Sequence, residues 1–257
     1  MRRQTKVEIE NIPAIGKRNK VMFLGSCFST EIGERMSSDG YDVILNPFGI
    51  LFNPASIASS VVRMESRQGF TLDDVIISDG RYTSFFHHSH FSKPSEQLFL
   101  DNANEALQQS ADDFNQSETI IITFGTAWVF RHLQRDIIVS NCHKIPSKEF
   151  HRERLQADEI VRMFSPILER HQDKKWVFTV SPIRHLSDGS HGNQISKATL
   201  LLSIEQLKEA FANVYYFPSY EIMMDELRDF SFYAEDTVHP SLSSIEYIYS
   251  TFLKSIR

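Results

Sequence analysis

"VMFLGSCFSTEIGERM", residues 21–36, decides how the chain reads. Val21–Leu24 is a short apolar run of the kind a buried strand requires. The chain leaves it through Gly25, Ser26 and Cys27, then turns polar at helical spacing, with Ile32 and Met36 on one face. A buried strand that passes through a glycine into a helix is a βα unit. The small residues at its turn admit two readings: a tight connection, or a seat that presents a hydroxyl or a thiol.

The same alternation continues outward. Val43–Leu45, "TIIITF" (119–124), "WVFTVSP" (176–182) and "VYYFPS" (214–219) read as further strands, with Ile137–Val139 as a small extra one. Between them lie amphipathic helices. Asn53 caps one with Pro54 in its first turn and Ile57, Val61 and Met64 inward. Others span about 96–114, 157–170, 192–211 and 241–255 by the same periodicity. Residues 70–92 read as an inserted hairpin turning at Asp79-Gly80, and residues 1–20 as an irregular arm. Continuous apolar strands separated by helices need cover on both faces. The expected fold is therefore α/β: a three-layer α/β/α sandwich with a parallel sheet of about five strands, in one domain over residues 1–257. Such sheets bind ligands beyond the carboxyl ends of their strands. Gly25-Ser26, Gly125-Thr126 and Ser181-Pro182 all fall at such ends.

Composition narrows the function. The net charge of −6, with no basic run interleaved with aromatics, argues against nucleic acid as a partner. Two cysteines make no disulfide framework. No apolar stretch approaches the roughly 20 residues of a membrane span, and the amino terminus lacks the apolar core of a secretory signal, so the cytoplasm is the expected location.

The residues suited to chemistry lie at the two ends. A serine hydroxyl needs a base to take its proton, and in "AEDTVHPS" (234–241) Asp236 and His239 are spaced so that the carboxylate can fold back onto one imidazole nitrogen. The plainer reading is a helix-entry loop in which Asp236 caps backbone amides and His239 is a surface residue. Together with Gly25-Ser26, this pair resembles the SGNH, or GDSL-like, hydrolases, and more closely the GSCFA family. The resemblance rests on "GSCFS" (25–29), "NPFGILFNPASI" (46–57), "TFGTAWVF" (123–130), "NCHKIP" (141–146), "SPIRHLSDG" (181–189), "NQISKA" (193–198) and "FYAEDTVHP" (232–240).

The resemblance implies a flavodoxin-like SGNH hydrolase fold, with Ser26 as nucleophile, His239 as general base and then acid, and Asp236 as its orienter. It implies backbone donors to the oxyanion from Ser26 and Gly49. Where the superfamily has Gly-x-Asn, this chain has Gly125, Thr126 and Ala127, so the further donor is expected from Asn141 or Asn46, beside Thr126. Arg184 and His185 are expected at the same rim, with Asn46, as substrate-binding residues. Arg184 either reads an anionic group or braces the loop through Asp188. Lys197 is expected to be a solvated or bracing residue, and Cys27 a rival nucleophile that the turn points elsewhere. The expected activity is ester hydrolysis or acyl transfer through an acyl-enzyme on Ser26, acting on a small-molecule or carbohydrate ester, with no cofactor. Two alternatives stand beside it: a non-catalytic ligand-binding domain, and a metal-assisted phosphoesterase using His87, His88 and His90.

Overall fold

The computed structural model describes residues 5–257. In chain order its strands are β1 (Lys20–Gly25), β2 (Asp42–Leu45), β3 (Val75–Ser78), β4 (Arg81–Ser84), β5 (Thr119–Phe124), β6 (Trp128–His132), β7 (Ile137–Val139), β8 (Phe150–Arg154), β9 (Lys175–Val180) and β10 (Val214–Tyr216). The helices are α1 (Cys27–Ser38), α2 (Pro54–Ser66), α3 (Glu96–Gln116), α4 (Ala157–Arg170), α5 (Gly189–Ala210), the single turn α6 (Ser219–Glu221) and α7 (Leu242–Ser255).

β10, β9, β5, β1 and β2 form the central sheet in that order, all parallel. Counted among themselves along the chain, these five strands run 2-1-3-4-5, the flavodoxin-like order, whose switch point lies between β1 and β5. Successive side chains point to opposite faces, and both faces are covered. Met22, Leu24, Ile120, Ile122, Trp176 and Phe178 pack beneath α2, α3, α4 and α5. Val21, Phe23, Ile121 and Val177 pack beneath α1 and α7. This double burial is why the strands read as unbroken apolar runs rather than as alternating ones. Asn53 caps α2 as expected, its Oδ1 accepting the Ser56 N–H at 2.8 Å.

Two smaller sheets sit on this frame. β3 and β4 pair antiparallel through Asp79 and Gly80, at φ 52° and 70°, the left-handed pair that a two-residue hairpin turn demands. The regular hairpin ends at Ser84, and the rest of the expected 70–92 insertion is irregular chain with turns of 3-10 helix at Leu72–Asp74 and Ser89–Phe91. β7, β6 and β8 form a second antiparallel sheet that sequence reading missed, apart from β7. The reason is composition: β8, "FHRER", is charged and partly exposed, so only its pairing with β6, from Trp128↔Arg154 to His132↔Phe150, makes it a strand. The hairpin docks on this sheet, with Ser140 N–H donating to Phe85 O at 2.7 Å. Of the expected arm, residues 1–4 lie outside the described residues. Farther on, Ile12 and Ile15 are buried, and their N–H groups donate to Ser255 O and Ile256 O at the carboxyl end of α7. No helix among the described residues is long and apolar enough to cross a membrane.

Candidate active site

Ser26 stands at the switch point. Gly25 before it has φ +146°, and a Cβ there would lie 2.3 Å from Thr123 O on the neighbouring strand. Only glycine lets β1 and β5 close at this point, so the turn is set by the register Gly25↔Thr123. The Gly25 N–H donates to Asn46 Oδ1 at 2.8 Å, and the Ser26 N–H reaches Thr123 O at a long 3.3 Å. Ser26 is the N-cap of α1, yet its side chain caps nothing. Its Oγ is buried and, among the described residues, has no hydrogen-bond partner. A buried hydroxyl left unpartnered costs about 1–3 kcal/mol, so this serine is not serving the fold. It sits instead at the positive end of a helix dipole, beside first-turn amides with no side-chain cap.

At the other end of the chain, His239 Nδ1 lies 2.6 Å from Asp236 Oδ2. A carboxylate only accepts, so in the neutral imidazole this contact assigns the proton to Nδ1 and the lone pair to Nε2. Asp236 Oδ1 accepts the Val238 and His239 N–H groups at 2.9 Å each. The His239 and Val238 amides, joined by the imidazole, hold the Asp236 carboxyl down to about 2. Both sequence readings of this loop thus meet in one geometry: Asp236 caps backbone amides with one oxygen and orients the ring with the other.

Ser26 and His239 line one cleft of about 800 Å³. Its floor is made by Ser26, Cys27, Thr126 and Ser181, at the carboxyl ends of β1, β5 and β9. One wall comes from Trp128, Phe130, Val139 and Arg152 of the small antiparallel sheet, the other from residues 183–188 with Val238 and His239. Of the floor and the second wall, sequence reasoning put Ser26, Thr126, Ser181, Arg184, His185 and His239 at one rim, but not Cys27. It missed Trp128 and Phe130, whose only hint was the block "TFGTAWVF", and Arg152, which had none.

The expected oxyanion donors fare differently. Gly49, at φ +82°, spends its N–H on Asn46 O at 2.7 Å and does not line the cleft. It closes a turn against His88, whose Cβ would be 2.3 Å from an added methyl. Asn46 does not line the cleft either. Its oxygen holds Gly25 and its Nδ2 donates to Thr30 Oγ1 at 3.0 Å, so it braces the serine turn from behind. Thr126 does line the cleft, but its hydroxyl is tied to Ser196 Oγ at 3.1 Å and to the Trp128 N–H at 3.1 Å. Asn141 lines the cleft with its oxygen held by the His143 N–H at 2.8 Å, an arrangement that leaves its NH₂ as a donor.

Arg184 and His185 line the cleft as expected. Arg184 does not brace Asp188, which is ion-paired to Arg152 instead. Burial pushes the His185 imidazole down to about 4, helped by the nearby Lys197 charge. Lys197 is not solvated: it is 1% exposed, and its Nζ donates to Gly125 O at 2.6 Å and Ser181 O at 2.8 Å. It staples the ends of β5 and β9 under the cleft floor, and burial brings its ammonium down to about 7. Cys27, expected to point elsewhere, also lines the cleft, but burial pushes its thiol up, away from the nucleophilic thiolate.

The histidine cluster does not converge. His87 is fully buried among Phe48, Phe70, Phe91 and Phe99, with Nδ1 2.7 Å from Ser84 Oγ, and burial drives its pKa to about 3. His88 and His90 face each other through Nδ1 at 2.9 Å. Among the described residues, no three His, Cys, Asp or Glu side chains are placed to hold a metal ion.

Residues 20–252 match the GSCFA family, and the chain belongs to it. A search among curated proteins finds no match. Similar solved structures include a proposed platelet activating factor from Streptococcus pneumonia, at 9% identity and TM-score 0.42, covering 93% of this chain and 85% of that one. Another is a proposed acylhydrolase from Bacteroides fragilis, at 10% identity and TM-score 0.43, covering 96% and 90%.

Proposed function

We propose that this chain is a serine-dependent acyl hydrolase or acyltransferase acting on an acylated small molecule. One observation carries the reading: an unpartnered serine hydroxyl and a carboxylate-oriented histidine, from opposite ends of the chain, line the same cleft. Substrate binding brings Ser26 Oγ and His239 Nε2 within hydrogen-bond reach, a contact that often tightens only in the complex. Ser26 Oγ attacks the acyl carbonyl and its proton passes to Nε2, while Asp236 stabilises the imidazolium. The oxyanion is held by the amides at the start of α1 and by Asn141 Nδ2. The intermediate collapses to the acyl-enzyme as the departing alcohol takes the proton from Nε2. Water, or an acceptor alcohol, then gives its proton to His239 and attacks the acyl group, and Ser26 Oγ leaves as it takes that proton back from Nε2.

The test is an activated short-chain ester with an organophosphonate probe, read by intact mass and peptide mapping. A single adduct on Ser26, and loss of ester turnover by at least about a thousandfold in Ser26→Ala, are expected. Full activity in Ser26→Ala, or an adduct only elsewhere, overturns the serine mechanism.

A further inference from the structure

We propose that Arg184 makes this site selective for substrates carrying an anionic oxygen group, a carboxylate or a phosphate, which its guanidinium holds while Ser26 acts on the acyl carbonyl. The inference rests on the serine reading for its chemistry, and on a charge inventory of the cleft for its selectivity.

Apart from histidines, the charged side chains lining the cleft are Arg152, Arg184 and Asp188. Arg152 and Asp188 neutralise each other, and Asp188 is nearly buried in that contact. Arg152 also lies over the Trp128 ring, 4.2 Å from its centroid, so its planar face is used as well. Arg184 is left. Among the described residues, its only side-chain hydrogen bond runs from Nη2 to Met224 Sδ, at 3.2 Å, and a thioether is a weak acceptor. Its backbone N–H points to Val238 O at 3.5 Å, and among the described residues no carboxylate pairs with it. The one acid its own loop offers, Asp188, is already taken.

A half-buried guanidinium without a counter-charge is costly, and it occurs here in a chain whose net charge is −6. Acidic side chains are plentiful elsewhere on the surface, yet none closes on this one. The guanidinium presents paired N–H donors in a plane, which match two oxygens of a carboxylate or phosphate. Under the cleft floor Lys197, its Nζ on Gly125 O and Ser181 O, adds a second positive charge when protonated. An anion entering this cleft therefore meets one unpaired guanidinium fork, while the cleft's own carboxylate, Asp188, is already paired to Arg152.

Two matched pairs of esters test this and separate the two sources of the anion. On the acyl side, 4-nitrophenyl hemisuccinate is compared with its methyl ester. On the alcohol side, 1-acetylglycerol 3-phosphate is compared with 1-acetylglycerol. For at least one pair the wild type should favour the anionic member in kcat/KM by about tenfold or more, mainly through KM. In Arg184→Gln that ratio should fall towards one, and Arg184→Lys, which keeps charge but loses the fork, should recover part of it. Melting curves confirm that the variants fold. A wild-type ratio near one for both pairs, or a ratio unchanged in Arg184→Gln, overturns the proposal while leaving the serine mechanism standing. If no ester is turned over, calorimetric titration with succinate and inorganic phosphate decides: binding that Arg184→Gln abolishes supports the anion site apart from the acyl chemistry, and no binding overturns it.

Discussion

The serine turn and the Asp236–His239 loop serve one cleft but are held in opposite ways. Ser26 is 1% exposed, and apart from the Ser29 N–H on its own carbonyl, the contacts that set its turn are distant in sequence: Thr123 O on β5, Asn46 beyond β2 on the Gly25 N–H, and the Lys197 staple on the adjoining strand ends. His239 and Asp236 have side chains 52% and 50% exposed, and their geometry is local. Asp236 binds two amides and a ring within its own loop, Ala234 N–H donates to His239 O at 2.8 Å, and Thr237 takes a left-handed φ of 59° to make the bend. The nucleophile is placed by the sheet, whereas the base is oriented by four consecutive residues. Damage to the first half should therefore appear in stability, and damage to the second in rate alone.

The largest test of that difference is Gly25→Ala. A methyl group would meet Thr123 O at 2.3 Å and Thr123 N at 2.9 Å in backbone that cannot step aside without breaking the β1–β5 ladder. A loss of at least about 4 kcal/mol in urea unfolding is expected. Wild-type stability in this variant would show that the sheet does not dictate the serine turn.

Asp236→Asn should do the reverse. Asparagine keeps an oxygen for the two amides but offers NH₂ to the ring, which favours the wrong imidazole tautomer. Ester turnover should fall by about 10²–10⁴-fold with an unchanged melting curve. A melting point that drops along with the rate would mean that the loop is not autonomous. Because Asp236 stays ionised down to about pH 2, the acid limb of the rate profile is not its titration.

Lys197→Met probes the buried half more gently. It frees the Gly125 and Ser181 carbonyls but removes a buried charge, for a net loss of about 1–2 kcal/mol at neutral pH. The sign of its pH dependence is fixed. Folding lowers this pKa from 10.5 to about 7, so between those values the unfolded chain binds the extra proton. Wild-type stability should then gain, from this group, up to about 1.4 kcal/mol per pH unit as pH rises through that window, and nothing below it. Unfolding midpoints at neutral and alkaline pH, in wild type and Lys197→Met, measure the difference. The variant should lack that rise, and an unchanged rise would show that Lys197 is not its source.

How far each feature was legible follows the same division. The βα turn at Gly25-Ser26, the Asn53 cap and the five parallel strands were readable because burial and capping leave periodic local marks. The loop pairing of Asp236 with His239 was readable because it is a matter of spacing. Gly49 and Asn46 were misjudged as groups facing substrate, since nothing in "NPFG" tells that one amide closes a turn and the other braces Gly25. His87 looked like its neighbours His88 and His90, and only packing against four phenylalanines sets it apart.

By itself the sequence determined the layered fold, its family, and the residues at the two ends that meet in one cleft, because strand burial and short-range hydrogen bonding are written in consecutive residues. Only the tertiary structure decided which donors still face the cleft, that Arg152 takes Asp188 and leaves Arg184 free, and that Lys197 is buried. Hydrogen-bond capacity and charge are finite, and their allocation depends on which distant partners arrive first within reach.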